Sequence, residues 1–212
     1  MSALREVPVT IDSGRLRLEG LLHEGDGAGA AVVLHPHPQY GGDMHNHVVA
    51  AACTTLAHAG FTTLRFNFRG TGRSDGAYDG GRGEADDARA AVAFVRERAA
   101  AGPLVLCGYS FGAMVAGAIA SDVRPDALVL VSPPVQFSRI AVPDGVRALV
   151  IAGDRDPIAP KHALAAFERP GVRVVVVPGV EHSWWPGVEE LERELAAFVR
   201  DAVSPSREGE RP

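Results

Sequence analysis

The sequence predicts an α/β fold: a doubly wound, mostly parallel sheet that follows an antiparallel N-terminal hairpin. Three observations predict it. Continuous apolar runs, such as Ala30 to Leu34 and Leu104 to Cys107, read as strands buried on both faces. These runs alternate with stretches of helical periodicity, the pattern of parallel strands joined by crossover helices. Residues 6–23 instead alternate apolar and polar side chains, as an antiparallel edge with one wet face does.

The elements follow in order. Glu6 to Ile11 and Arg15 to His23 read as the hairpin, with Asp12, Ser13 and Gly14 as its turn. A flexible glycine loop at 25–29 leads to the strand Ala30 to Leu34. His45 to Ala59 reads as a helix started by Asn46 or Asp43 and ended by Gly60. Phe61 to Phe68 is the next strand, followed by a glycine-rich turn from Arg69 to Gly76. Glu84 to Ala100 is a helix with Ala88, Ala91, Val92, Val95 and Ala99 at helical spacing. Its first-turn acids, Glu84, Asp86 and Asp87, read as helix-start charge that suits the dipole. The strand Leu104 to Cys107 and a helix from Ala113 to Ala120 come next. Then come strands at Ala127 to Val131 and Ala148 to Ala152, a short helix near Lys161 to Phe167, and the strand Val172 to Val177. Gly187 to Val203 closes the fold as a helix whose stripe is Val188, Leu191, Leu195, Phe198 and Val199.

At 212 residues the chain suffices for one domain with a substantial core, expected over 1–203. Residues 204–212 are polar and end in proline, which predicts a disordered C-terminal tail. The formal net charge is −5 and no basic stripe is present, so nucleic acid is not an expected partner. The N-terminus carries no apolar core of a signal peptide, and no apolar run approaches the ~20 residues of a membrane span. Cys53 and Cys107 fall in a predicted helix and a predicted buried strand, where they read as small apolar filling. Together these features predict a cytoplasmic protein with no membrane partner, a monomer or homodimer.

Chemistry concentrates in the stretch from Leu104 to Gly112. Strand, then Gly108-Tyr109-Ser110-Phe111-Gly112, then helix is the context in which G-x-S-x-G becomes a nucleophile elbow. The tight turn leaves no room for side chains two residues either side of Ser110. The serine sits at a helix N-terminus, which favours developing negative charge. A serine hydroxyl needs a base within reach, and the base needs an orienting acid. His182 follows the last predicted strand, and Asp154 and Asp156 follow the penultimate one. Ser, Asp, His in that order is the order of the α/β-hydrolase triad. All of these residues lie just after predicted strands, so they converge on one edge of the sheet.

The chain resembles the α/β-hydrolase superfamily over roughly residues 30 to 200. More narrowly it resembles small, lidless bacterial serine hydrolases that carry His35-Pro36-His37-Pro38, then Gly41-Gly42, then Arg65-Phe66-Asn67-Phe68-Arg69-Gly70. The resemblance implies Asp156 as the acid, with Asp154 bracing the loop. It implies an oxyanion hole of two amides, Phe111 and a residue in the loop after Leu34. His37 matches the family position; Pro36 and Pro38 have no N–H, and Gln39 or Tyr40 remains open as donor. The histidines at 35, 37, 45 and 47 also invite a zinc reading, but the resemblance explains the loop without metal and no cofactor is expected. The turn at Arg69 lacks a phosphate-loop ending, and Ser74 within it is a weak rival nucleophile.

Larger relatives of the fold insert a cap after the strand Ala127 to Val131. Here Ser132 to Arg147 shows no helical pattern, so an open site without a lid is expected. Tyr40, Tyr109, Phe111, Val135, Phe137, Trp184 and Trp185 are candidates to line it, since each neighbours a catalytic segment. These readings imply a serine hydrolase that cleaves small carboxylic esters or thioesters of short to medium acyl groups through an acyl-enzyme. The alternative is a non-hydrolytic biosynthetic enzyme, or a ligand-binding protein with an idle triad.

Overall fold

The computed structural model describes residues 4–99 and 101–203; the expected tail at 204–212 and the end of the second helix at Ala100 lie outside them. Eight strands form one sheet in the order β1-β2-β4-β3-β5-β6-β7-β8. They are β1 Val7–Ser13, β2 Leu16–His23, β3 Ala30–Leu34, β4 Thr62–Phe66, β5 Leu104–Tyr109, β6 Ala127–Val131, β7 Arg147–Gly153 and β8 Val172–Val177. The first two pairings, β1 with β2 and β2 with β4, are antiparallel. From β4 through to β8 every pairing is parallel. The hairpin turns later than its composition suggests. Ser13 pairs with Leu16, so β1 runs through Asp12 and Ser13 and the turn is Gly14 and Arg15.

The helices are α1 His47–His58, α2 Arg82–Arg96, α3 Phe111–Val123, α4 Lys161–Leu164 and α5 Val188–Val203. Alternate residues of each central strand face opposite layers. On β5, Leu104 and Leu106 join α2 and α3, while Val105 and Cys107 join α1 and α5. This is why the central runs are apolar throughout: neither sheet face meets water. Leu191, Leu195, Phe198 and Val199 bury the stripe of α5, each worth on the order of 2 kcal/mol of transfer free energy. Cys53 and Cys107 are free, buried thiols, and burial pushes the Cys107 thiol up to about 12. Among the described residues no helix is long and apolar enough to cross a membrane.

The helix-start reading of α2 holds for Glu84, the acid of its first turn, while Asp86 and Asp87 lie beyond that turn. Of its three acids only Asp86 is exposed. Glu84 is fully buried and accepts from the Asp79 and Gly81 amides at 2.8 and 2.7 Å. Asp87 is fully buried and accepts from Ser13 Oγ and from the Arg69 amide and guanidinium. The charge pattern of a helix start is the same whether its first turn meets water or another loop; here the turn after β4 folds back over it. Asn46 is the cap of α1, its Oδ1 accepting from the Val48 amide at 2.9 Å, while Asp43 serves the His45 amide one turn earlier.

Candidate active site

The site is assembled at the carboxyl ends of the parallel strands. Ser110 follows β5 with φ +54° and ψ −115°, a backbone that an ordinary residue adopts only under constraint. Two close approaches impose it. A Cβ on Gly108 would lie 2.2 Å from the Gly112 carbonyl oxygen, and one on Gly112 would lie 2.3 Å from that of Leu34. The Ser110 amide donates to Val131 O at 2.9 Å, tying the elbow to the end of β6.

His182 Nε2 stands 3.0 Å from Ser110 Oγ, and its Nδ1 stands 3.0 and 2.9 Å from the two oxygens of Asp156. An ionised carboxylate only accepts, so Nδ1 carries the proton and Nε2 is left to accept from the serine. Burial alone would raise the Asp156 carboxyl. Hydrogen bonds from His182, Ser132 and the Ala159 amide, with the charge of His182, outweigh it and hold the acid below its ordinary value. Asp154 lies outside this chain; it is exposed, and its Oδ1 accepts from the Gly179 amide at 2.7 Å, bracing the turn before the histidine loop.

The loop after β3 is clamped from below. His35 is fully buried; its Nε2 accepts from the Phe68 amide at 3.0 Å, so its Nδ1 carries the proton and donates to Pro36 O at 2.7 Å. Burial holds this ring neutral, with its pKa pushed down to about 4. Arg65 donates to Met44 O, and Asn67 Oδ1 accepts from the Met44 amide, so β4 and the residues after it carry the far end of the same loop. The Gln39 amide donates to His37 Nδ1 and the Tyr40 amide to His37 O. Both alternatives to His37 as oxyanion donor are therefore already engaged. The His37 and Phe111 amides have no acceptor among the described residues, and the two side-chain rings lie 4.9 Å apart.

The residues expected to line the site divide. Tyr40 and Phe137 are exposed, at 88% and 76%, and Val135 is half-buried. Phe111 packs against the rings of His37, Phe68 and Tyr78. Trp185 is exposed and stacks on His47 at 4.0 Å. Two are corrected. Trp184 is 0% exposed and lies in the core layer of α1 and α5, its indole donating to Ser132 Oγ at 2.9 Å. Tyr109 is buried beneath the histidine loop, its hydroxyl donating to His182 O at 2.7 Å. Each neighbours a member of the Ser110–His182–Asp156 constellation in sequence but points inward, and neither meets solvent.

Sequence reasoning missed Tyr78, Ser132 and the packing role of Tyr109. Tyr78 accepts at 3.1 Å from His37 Nε2, which bears the ring proton because Nδ1 accepts from Gln39. The tyrosine proton therefore remains available. Only its spacing from the turn at Arg69 could have drawn attention to it. Ser132 directly follows a strand, as Ser110 does, while Asp156 and His182 lie in the loops after theirs. Ser74, the rival nucleophile, is spent in structure: its hydroxyl donates to Asn67 O at 2.7 Å and accepts from the Glu19 amide. Among the described residues no group of three or more His, Cys, Asp or Glu is placed to hold a metal ion.

Comparison with known proteins agrees with this fold. A family model described as serine aminopeptidase, S33, matches residues 29–154. The uncharacterized protein RP471 of Rickettsia prowazekii is 41% identical over 138 residues, which cover 60% of this chain; the match spans only 57% of the length of that relative. The uncharacterized protein Rv2307c of Mycobacterium tuberculosis is 31% identical over 86% of this chain and 74% of its own. Among solved structures, XC6422 from Xanthomonas campestris, an α/β serine hydrolase without a lid, superposes with a TM-score of 0.86 at 31% identity. It covers 97% of this chain and 99% of its own. An α/β serine hydrolase homologue from Coxiella burnetii superposes at 0.80 and 30% identity, over 93% and 99% of the two chains. With its mostly parallel sheet, its antiparallel hairpin and its elbow after β5, this chain belongs to the α/β-hydrolase superfamily, in the serine aminopeptidase S33 family.

Proposed function

We propose that the protein hydrolyses carboxylic esters or thioesters of short to medium acyl groups through an acyl-enzyme, with Ser110, His182 and Asp156 as its triad. The observation that carries this reading is the unbroken hydrogen-bond chain from Ser110 Oγ through both nitrogens of His182 to Asp156. Ser110 Oγ attacks the acyl carbon as His182 Nε2 takes its proton. The Phe111 and His37 amides receive the oxyanion. His182 then returns the proton to the departing alcohol or thiol, and water repeats the sequence on the acyl-serine.

The surroundings favour an ester or thioester over a peptide N-terminus. An aminopeptidase needs a free carboxylate for the substrate ammonium. Glu84, whose charge acts on both His37 and Tyr78, is buried with both oxygens committed to backbone amides. The rings of His37, Tyr78 and Phe111 offer an apolar wall, with Tyr40 and Phe137 exposed on nearby loops. No helix interrupts residues 132–146, where a cap would be inserted, which fits an open site.

An active-site phosphonate, followed by peptide mapping, tests the nucleophile. One label per chain is expected, at Ser110, and Ser110→Ala lowers turnover by a factor on the order of 10⁴ or more. Labelling at Ser74, or none in folded protein, would overturn the assignment. A panel of aryl esters of increasing acyl length, with matched thioesters and aminoacyl anilides, tests the substrate class. Turnover confined to the anilides would overturn the ester reading.

A further inference from the structure

Ser132 directly follows β6 and is fully buried, yet its φ is +46°. Glycine adopts that backbone freely, and a residue with a side chain does so at a conformational cost. Among the described residues four non-glycine positions have positive φ: Ser110, Arg124, Ser132 and Trp184. Three of them, Ser110, Ser132 and Trp184, lie on one run of side-chain contacts. Strain gathered along one polar chain points to function rather than to accident.

The run is directional. An indole N–H can only donate, so Ser132 Oγ accepts from Trp184 Nε1 at 2.9 Å and its own proton is left for a different acceptor. The Ser132 hydroxyl is among the groups whose hydrogen bonds hold the Asp156 carboxyl below its ordinary value. That carboxylate also accepts from the Ile158 and Ala159 amides at 2.9 and 3.0 Å, both through Oδ1. The backbone ties the same residues together. The Ser132 amide donates to Ile151 O on β7, and Val131 O, one residue earlier, accepts from the Ser110 amide. Trp184 lies two residues beyond His182, so the indole that holds Ser132 also anchors the loop of the base.

We propose that Ser132 is a positioning residue of the triad: its hydroxyl, aimed by the Trp184 indole, fixes the Asp156 carboxylate in the orientation that holds His182 Nδ1. The proposal rests on the triad reading above. It explains why a serine stands where glycine would be easier on the backbone, and why a tryptophan that cannot reach substrate has its N–H turned toward the site.

The test compares Ser132→Gly, Ser132→Ala and Trp184→Phe with the parent chain in steady-state ester hydrolysis. Ser132→Gly removes the hydroxyl while relaxing the backbone, so misfolding does not account for its loss. Both Ser132 variants are expected to lower kcat by about 10- to 100-fold, the scale of a hydrogen bond to a charged group. KM is expected to stay within about twofold, and phosphonate labelling of Ser110 to slow in step with kcat. The melting temperature of Ser132→Gly is expected to equal or exceed that of Ser132→Ala. Trp184→Phe keeps an aromatic ring in the buried position and loses the donor, giving a smaller fall in kcat. In the double variant Ser132→Ala, Trp184→Phe, kcat is expected to match Ser132→Ala alone, because the indole acts through the hydroxyl. Unchanged kcat in Ser132→Gly, a loss confined to KM, or losses that multiply in the double variant would each overturn the proposal while leaving the triad standing. Full turnover in Ser110→Ala would remove the triad and the proposal with it.

Discussion

Asp156 and His182 are joined through both carboxylate oxygens, at 2.9 and 3.0 Å from Nδ1. Asp154, two residues earlier, faces away and holds the Gly179 amide instead. Asp156→Asn is therefore expected to lower kcat by about 10⁴, because an amide can stabilise the wrong tautomer of the base. Asp154→Asn is expected to leave kcat within about tenfold and to cost on the order of 1 kcal/mol in loop stability. Ester kinetics and thermal melts of the two variants check this, and a reversal of the two kinetic losses would reassign the acid.

His37 has φ −58°, which a proline can adopt. His37→Pro removes the amide proton proposed for the oxyanion hole without demanding a new φ at that residue. It is expected to lower kcat by a further factor of about 10² to 10³ beyond His37→Ala, which loses the side chain but keeps the N–H. Equal rates in the two variants would move the second donor elsewhere.

The elbow tolerates no side chain at Gly112. A methyl group there would lie 2.3 Å from Leu34 O and 2.8 Å from His35 O, both backbone atoms. Gly112→Ala is expected to destabilise the fold by about 3 kcal/mol or more, read by urea titration. Gly145→Ala is the control for a crowding effect, since a Cβ there meets nothing within 4 Å. Its φ of +79° leaves only backbone strain, about 1 kcal/mol.

His35 makes stability depend on pH. Its folded pKa is depressed to about 4 by burial, against an ordinary value near 6.5. Between those values the unfolded chain binds a proton that the folded chain does not. The stability from the neutral ring is thus complete above about pH 6.5 and drains away as pH falls toward 4, by up to ~1.4 kcal/mol per unit. Unfolding free energies measured at about pH 7 and pH 5 are expected to differ by about 2 kcal/mol more in the parent chain than in His35→Gln. Identical pH dependence in both would show that His35 is not held neutral.

Turnover is expected to survive exhaustive chelation and to fall on acidification, since an imidazolium cannot take the serine proton. Activity lost to chelator and restored by zinc would instead promote the histidines at 35, 37, 45 and 47 to a metal site.

The amino-acid sequence by itself determined the order of strands and helices, the elbow at Ser110 and the pairing of that serine with His182. These are local signals: runs of apolar residues, glycines at fixed offsets and chemistry placed just after strands. A strand buried on both faces has to be apolar along its length, and an elbow has to carry glycine at 108 and 112. Tertiary structure alone decided which side chains face the site and which face the core. Trp184 and Tyr109 sit beside residues of the proposed triad in sequence, yet one is buried against Ser132 and the other under the carbonyl of His182. Glu84 and Asp87 read as helix-start charge, yet both are buried, Glu84 on the Asp79 and Gly81 amides just before the helix and Asp87 on the amide and guanidinium of Arg69 brought from another segment. The direction of a side chain in a loop, and the partner of a buried charge, depend on groups distant in sequence. No local pattern encodes them, because the same residues would be chosen whether the facing surface were water or protein.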